Sequence, residues 1–344
     1  MANMSMSFPE TQCSPNETLV FSTSDSIAAG VGATLCAIIG SVMNSATIVA
    51  ILNYPRTRSH VTTPFVVSLS CSDFIFSFLT LPTLAIKFFA REWILGETWC
   101  YMYPVVFYSN SAITLLSLIG VTMNRWVLIT YPNKSDKIFS RARSKLMILA
   151  CWIGPFLMMM LSYNGVFGTH GLKCISRSCT IMKDERGMTP KRLFFLVGLV
   201  IPCIVLLVTN FMIYYKVYTM RHQMEKQLKS RASMPKGMKE REQRLTKMML
   251  FIFGCFLLTY LPGTVIKLFD NAINYPTLHV VSYIVNWLSV IMNPTIYVAT
   301  QERYRHAFKY LIGHVIPSQR TPTERLRMDR TSRRRSSVSD TDYN

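Results

Sequence analysis

Between Thr98 and Asn124 the chain carries no Asp, Glu, Lys or Arg. Such a run exceeds the roughly 20 residues that an α-helix needs to cross the hydrocarbon of a bilayer. Inside hydrocarbon every backbone group must find its partner within the chain, so this stretch is a helix. Six further apolar blocks follow the same rule: about Ser26 to Leu52, Thr63 to Ile86, Leu146 to Tyr163, Leu193 to Tyr218, a block bounded by Lys247 and Lys267, and Thr277 to Thr300. The expected fold is therefore an all-α membrane protein with seven transmembrane helices. A short amphipathic helix over Gln301 to Ile312 sets Phe308 and Leu311 opposite Arg303 and Lys309, a pattern suited to the membrane interface. Residues 1–25 form an N-terminal tail, 26–312 the bundle, and 313–344 a basic tail rich in Ser and Thr.

Half of the residues are hydrophobic and only 16% are charged, where a soluble chain would carry about 25%. The net charge of +19 does not argue for nucleic acid, because the cations lie between and after the apolar blocks. Loops after spans one, three and five and the segment from Gln301 onward hold 2, 5, 10 (with Lys216 at the end of span five counted) and 10 Lys or Arg, while the first 25 residues hold none. The positive-inside rule then sets the N-terminus outside and the tail in the cytoplasm. On that topology Asn3 and Asn16, each in an Asn-X-Ser/Thr triplet, are glycosylation acceptors. Cys13, Cys100, Cys174 and Cys179 share an oxidising side where disulfides form.

Two polar positions stand out within the spans. Asp73 sits near the middle of span two, where an ionised group is costly and faces the bundle interior. Asn44, Asn110, Thr114 and Asn293 lie at depths that bring oxygens near it. That set suits either a hard monovalent cation or a polar network that only fixes packing. Arg125 ends the charge-free run, where it either marks the membrane edge by snorkelling or works within the bundle. Pro202, Pro262 and Pro294 each remove a backbone donor and bend their helix. In Asn293-Pro294, the asparagine is placed to satisfy a carbonyl freed by the proline.

Taken together, Asn44, Leu69 with Asp73, Trp152, Pro202, Phe256 with Pro262, and Asn293-Pro294-Thr295-Ile296-Tyr297 resemble the rhodopsin-like (class A) G-protein-coupled receptors. Cys100, 25 residues before Arg125, has the spacing that family shows between its extracellular disulfide and its helix-three arginine. The resemblance covers about residues 26 to 312. Asn124-Arg125-Trp126 and Arg244-Leu245-Thr246-Lys247-Met248-Met249-Leu250 resemble the insect trapped-in-endoderm and Moody group, and Ser178-Cys179-Thr180 is similar to the melatonin receptors.

The resemblance implies a plasma-membrane receptor that converts binding of an extracellular ligand into activation of a heterotrimeric G protein, with arrestin and a receptor kinase as further partners. By analogy with that insect group it implies roles in cell migration, polarity or epithelial barriers. It pairs Cys100 with Cys179, Cys174 being the competing partner or else joined to Cys13. It gives the switch to Asn124, Arg125, Trp126, Glu242, Pro262, Asn293, Pro294 and Tyr297, and a sodium ion to Asp73, Asn110, Thr114 and Asn293. No other cofactor is expected. The pocket falls to Tyr103, Phe107, Ser111, Phe194, Tyr260, Lys267, Tyr283 and Trp287.

Three departures matter. Asn124 replaces the acid usual before the arginine, which weakens the restraint on Arg125 because a charge-assisted pair is the stronger one. Asn210 stands for the usual tyrosine of helix five, and Tyr260 for the usual tryptophan of helix six. Phe107 occupies the place of an amine receptor's aspartate, and Trp287 that of an opsin's retinal lysine. An aromatic pocket with Lys267 near its mouth instead suits an apolar ligand with an anionic head, such as a lipid. In the tail, Arg333-Arg334-Arg335-Ser336-Ser337 resembles a basophilic kinase site, where phosphate would weaken contact with an anionic leaflet. No cysteine follows the interfacial helix to carry a palmitoyl chain.

An enzyme would need a catalytic pair or a metal cluster inside the bundle, and the six histidines are scattered. A seven-span transporter or ion-conducting channel, the alternative, would line a path with charges through several spans. Asp73 is the single acid deep in any span.

Overall fold

The computed structural model describes residues 13, 19–58, 62–166, 168–183, 193–194, 196–228, 251, 254–267, 269–270, 272–300 and 302–315. Six helices among them are long and apolar enough to cross a membrane: Thr23–Asn53, Thr63–Ala90, Glu97–Thr130, Arg141–Tyr163, Leu196–Met220 and Pro276–Thr300. They are spans one to five and span seven. Residues 254–267, helical and containing Pro262, belong to span six.

Local chemistry sets the ends of these helices, and several lie outside the apolar blocks. Span one starts where the Ser22 hydroxyl accepts the Asp25 N–H at 3.1 Å, with Asp25 placed against the positive end of the helix dipole. Span four begins five residues before Leu146, because Ser140 caps it and Arg141, Arg143 and Lys145 fill its first turns. Span two continues beyond Ile86 to Ala90, ending where Arg91 turns left-handed at φ 57°. Lys87 therefore lies inside the span. Span five runs on helically to Leu228, ten residues beyond its apolar block.

The prolines are accommodated in two ways. Spans two and five each widen into a π-helical turn, Phe76–Thr80 and Leu196–Val200, and each turn ends two residues before a proline, Pro82 and Pro202. The extra residue of the π turn spares the ring a clash with the preceding turn. In span seven, Pro294 leaves the Val290 carbonyl without its backbone donor, and the Asn44 amide of span one supplies one at 2.9 Å. Asn44 also donates to Gly40 at 2.9 Å. The expectation that Asn293 would cover such a carbonyl is corrected: Asn293 turns to Asp73, and Asn44 does that work.

The segment between spans four and five contains an antiparallel hairpin, Thr169–Lys173 with Ser178–Met182, pairing Leu172 with Cys179 and His170 with Ile181. Its strands are short and polar, so no alternating apolar pattern announced them. Disulfides join Cys100 to Cys179 and Cys13 to Cys174. The first pins the hairpin to span three. The second ties down the segment that precedes span one. A last helix, Glu302–Val315, buries Tyr304 and Ala307, while Phe308 and Leu311 are half-buried.

Candidate functional site

Three groups of side chains carry the chemistry of the bundle. At the end away from the disulfides, Arg125 and Asn124 are each 2% exposed. Arg125 is folded into the bundle and does not reach out to mark an edge. Its charge acts on the hydroxyls of Tyr297 and Tyr304, whose rings lie 5.5 Å apart. The Asn124 Oδ1 atom is buried and makes no hydrogen bond among the described residues. Trp126 is half-buried and meets Tyr131 edge to face at 5.7 Å. Pro294 is buried and Pro262 half-buried. Asn210 donates to Leu206 of its own helix at 2.8 Å. Glu242, which the resemblance assigns to the switch, lies outside the described residues, as do Asn3, Asn16, Ser336 and Ser337.

Midway along the bundle is Asp73, 2% exposed. Asn293 donates to its Oδ2 at 2.8 Å. Ser72, which sequence reasoning missed, ties Thr114 (2.8 Å) and Asn110 Oδ1 (3.2 Å) to span two. One turn lower, Ser68 meets Ser117 at 2.9 Å and accepts from Trp152 at 3.0 Å. The four residues assigned to sodium thus converge on one network. Asp73 and Thr114 offer the oxygens a hard cation takes. Asn293 presents its amide nitrogen, and Asn110 is engaged by Ser72. Asn44, which depth suggested for this group, instead bridges spans one and seven. Spacing of Ser68 and Ser72 by four places both on one helix face, the signal that was available.

At the disulfide end the expected lining divides. Tyr103 and Phe107 lie 5.8 Å apart with tilted rings, packed with Cys100–Cys179. Tyr283 and Trp287 lie 6.3 Å apart on span seven, in the cluster that Phe107 joins. Lys267 stands 5.3 Å over the Tyr283 ring, and the residue is exposed. The other three lining candidates lie apart: Tyr260 stacks on Phe256 at 4.8 Å in the lower core. Phe194 packs with Tyr108 and Tyr163 around Ile181. Ser111 returns its hydroxyl to the Phe107 carbonyl at 2.9 Å. Not foreseen were Phe21, Phe88 and Lys87, which complete the Trp287 cluster. Ending span two at Ile86 had left Lys87 outside it.

A bundle of membrane helices with one mouth strapped by disulfides, a buried arginine at the other and a buried carboxylate between them is a seven-helix receptor. The chain belongs to the 7 transmembrane receptor (rhodopsin family), whose model matches residues 43–297. It is 34% identical to "Protein trapped in endoderm-1" of Drosophila melanogaster, over 84% of this chain and 78% of that protein. It is 29% identical to "G-protein coupled receptor moody" of the same organism over 88% of this chain, of which it spans about half the length, 53%. In fold it matches squid rhodopsin with a TM-score of 0.73 at 21% identity, covering 88% of this chain and 90% of that one. The protein is a multi-pass G-protein-coupled receptor. Members of its family are receptors rather than enzymes.

Proposed function

We propose that this receptor sits in the plasma membrane with its disulfide-strapped mouth outside and its Arg125 mouth in the cytoplasm. It takes an apolar ligand with an anionic head among the aromatic rings of spans two, three and seven, and answers by opening the Arg125 mouth to a heterotrimeric G protein. The distribution of cations among the loops supports this orientation. Asp73, bonded to Asn293, and Tyr297, one turn further along span seven, would pass the change between the two mouths. Sodium at Asp73, with oxygens from Thr114 and Asn110, would hold the resting packing. Asn293 would join that shell only with its amide turned. The tail, phosphorylated at Ser336 and Ser337 by a receptor kinase, would engage arrestin, and Asn3 and Asn16 would carry glycans. Likeness to the trapped-in-endoderm and Moody receptors supports a part in cell migration, polarity or barrier formation.

The observation that carries this reading is Arg125, an always-charged group that the bundle encloses at 2% exposure beside Tyr297 and Tyr304. Burying it is costly, which is reasonable where a second packing brings it out to a partner. The test is expression with a panel of G-protein biosensors, comparing wild type with Arg125→Ala. Basal coupling to one class that Arg125→Ala removes is expected. Identical signals from both across the panel would refute the assignment.

A further inference from the structure

Among the described residues the bundle buries two Lys or Arg side chains, Arg125 at one end and Lys87, 3% exposed, at the other. The switch uses the first; the second has had no assignment. The Lys87 ammonium lies 3.9 Å from the centre of the Phe88 ring and 5.2 Å from that of Phe21. Ring faces attract a cation, but they compensate its lost hydration less well than an anion does.

No carboxylate among the described residues pairs with it, and two buried ones, Asp25 and Asp270, have other partners. Asp25 accepts from Ser22 at 2.7 Å. Asp270 accepts from the Asn274 and Tyr275 backbone N–H groups at 2.7 and 2.9 Å and meets His279 at 3.3 Å.

Around the ammonium is an apolar cage. Phe21 and Phe88 meet edge to face at 5.7 Å, Phe88 meets Trp287 at 6.3 Å, and Tyr283 stands beyond Trp287. Phe21 is carried by a strap that bonds other than its contact with the lysine hold in place. Val20 donates to Ile175 at 3.1 Å, Arg91 donates to the Phe21 carbonyl and to Thr23 at 3.2 and 2.8 Å, and Cys13 is bonded to Cys174. A lysine needed only to seat the strap would be redundant beside these bonds.

We propose that Lys87 is the binding site for the carboxylate or phosphate of an amphiphilic ligand, whose apolar chain lies against Phe21, Phe88, Tyr283 and Trp287. This rests on the receptor reading and moves its anion-recognising cation from exposed Lys267 to buried Lys87. There low dielectric strengthens a charge pair, and water competes less for the head. Admission of the head requires the Phe21 strap to yield.

The experiment is thermal unfolding of the purified, full-length receptor in a neutral detergent, with dodecanoate, dodecyl phosphate, dodecanol or inorganic phosphate added. At least one anionic amphiphile is expected to raise the midpoint, with dodecanol at equal concentration doing so much less. Lys87→Met should weaken the apparent affinity about tenfold or more, and Lys87→Arg should keep most of it. A shift from inorganic phosphate alone assigns a free anion, and a shift only from the amphiphiles assigns a head group. Equal stabilisation by dodecanol, no response to any anion, or an unchanged response in Lys87→Met overturns the site. Should Lys87→Met not fold, the wild-type contrast between dodecanoate and dodecanol and the Lys87→Arg variant still decide. Basal G-protein coupling, measured separately, keeps the receptor reading distinct: a receptor that couples but ignores anions refutes this site alone.

Discussion

Gly40 is where spans one, two and seven come together, and Gly40→Ala tests whether that contact is as tight as it looks. An alanine Cβ there would overlap the Ser77 Oγ and lie 2.7 Å from Val290 Cγ2, about 0.7 Å short of ordinary contact. Neither neighbour can turn aside. The Ser77 hydroxyl is committed to the Asp73 carbonyl at 2.7 Å, and Val290 is β-branched and 2% exposed. The backbones must therefore separate. Overpacking of this kind costs about 1–3 kcal/mol. Separation also stretches the Asn44 bridge between the Gly40 and Val290 carbonyls, costing about 1 kcal/mol more. Against this stands the gain of about 1 kcal/mol in helix propensity from Gly to Ala. The net loss is about 1–3 kcal/mol, or a fall of about 5 °C in the unfolding midpoint of the purified receptor. Gly154→Ala is the control: nothing lies within 4 Å of its added Cβ, so its midpoint should hold or rise. Asn44→Ala alone should cost about 1–3 kcal/mol, because it orphans the carbonyl that Pro294 has freed. Combined with Gly40→Ala it should cost less than the sum, since both break one contact. A Gly40→Ala receptor as stable as wild type, or strict additivity in the double variant, would refute the reasoning.

Asn124→Asp places a carboxylate beside Arg125 where Asn124 now has a buried, unbonded Oδ1. Gaining about 1.4 kcal/mol in the resting state, it should cut basal biosensor output roughly tenfold; unchanged or higher output counts against the lock. Asn293→Ala removes the 2.8 Å bond to the Asp73 carboxylate. It should cost about 1.5–3 kcal/mol in thermal stability, and a midpoint equal to wild type would show that the bond is not made. If sodium occupies the Asp73 network, exchanging choline chloride for sodium chloride should raise the wild-type midpoint and leave Asp73→Asn unmoved. Burial holds His170 below the usual imidazole range, while its bond to the Tyr101 carbonyl at 2.8 Å pulls the other way. Below about pH 6.5 the unfolded chain therefore takes up that proton first, and stability falls as pH drops towards the native value. The drop in unfolding midpoint between pH 7.5 and 5.5 should shrink in His170→Gln, and an equal drop would exclude His170 as its source.

The spans were legible because hydrocarbon leaves no choice: uncharged runs of this length must be helical. Their ends were not, because caps and left-handed turns set them, as at Ser140 and Arg91, rather than hydropathy. That difference hid Lys87, which an end at Ile86 puts in water. Asp73 and Asn293 could be paired from depth alone, since few polar groups share that level. Ser72 could not, because a serine in a membrane helix is cheap and its direction is set by packing. The aromatic lining was half legible. Residue type marked Tyr103, Phe107, Tyr283 and Trp287, but nothing in the spacing showed that Ser111 turns to its own backbone or that Phe194 packs beneath the hairpin.

The handling of proline carries the remaining argument. Spans two and five meet theirs within their own backbone, by a π turn that travels with the helix. Span seven does not: its freed carbonyl at Val290 is closed by Asn44 of span one, and three residues later Asn293 is bonded to Asp73 of span two. The bend of span seven is thus held from outside by two side chains within one helical turn. On the function proposed above, a movement of span seven that broke both bonds together would give it two discrete packings, the bistable element that a switch between the aromatic mouth and Arg125 would use.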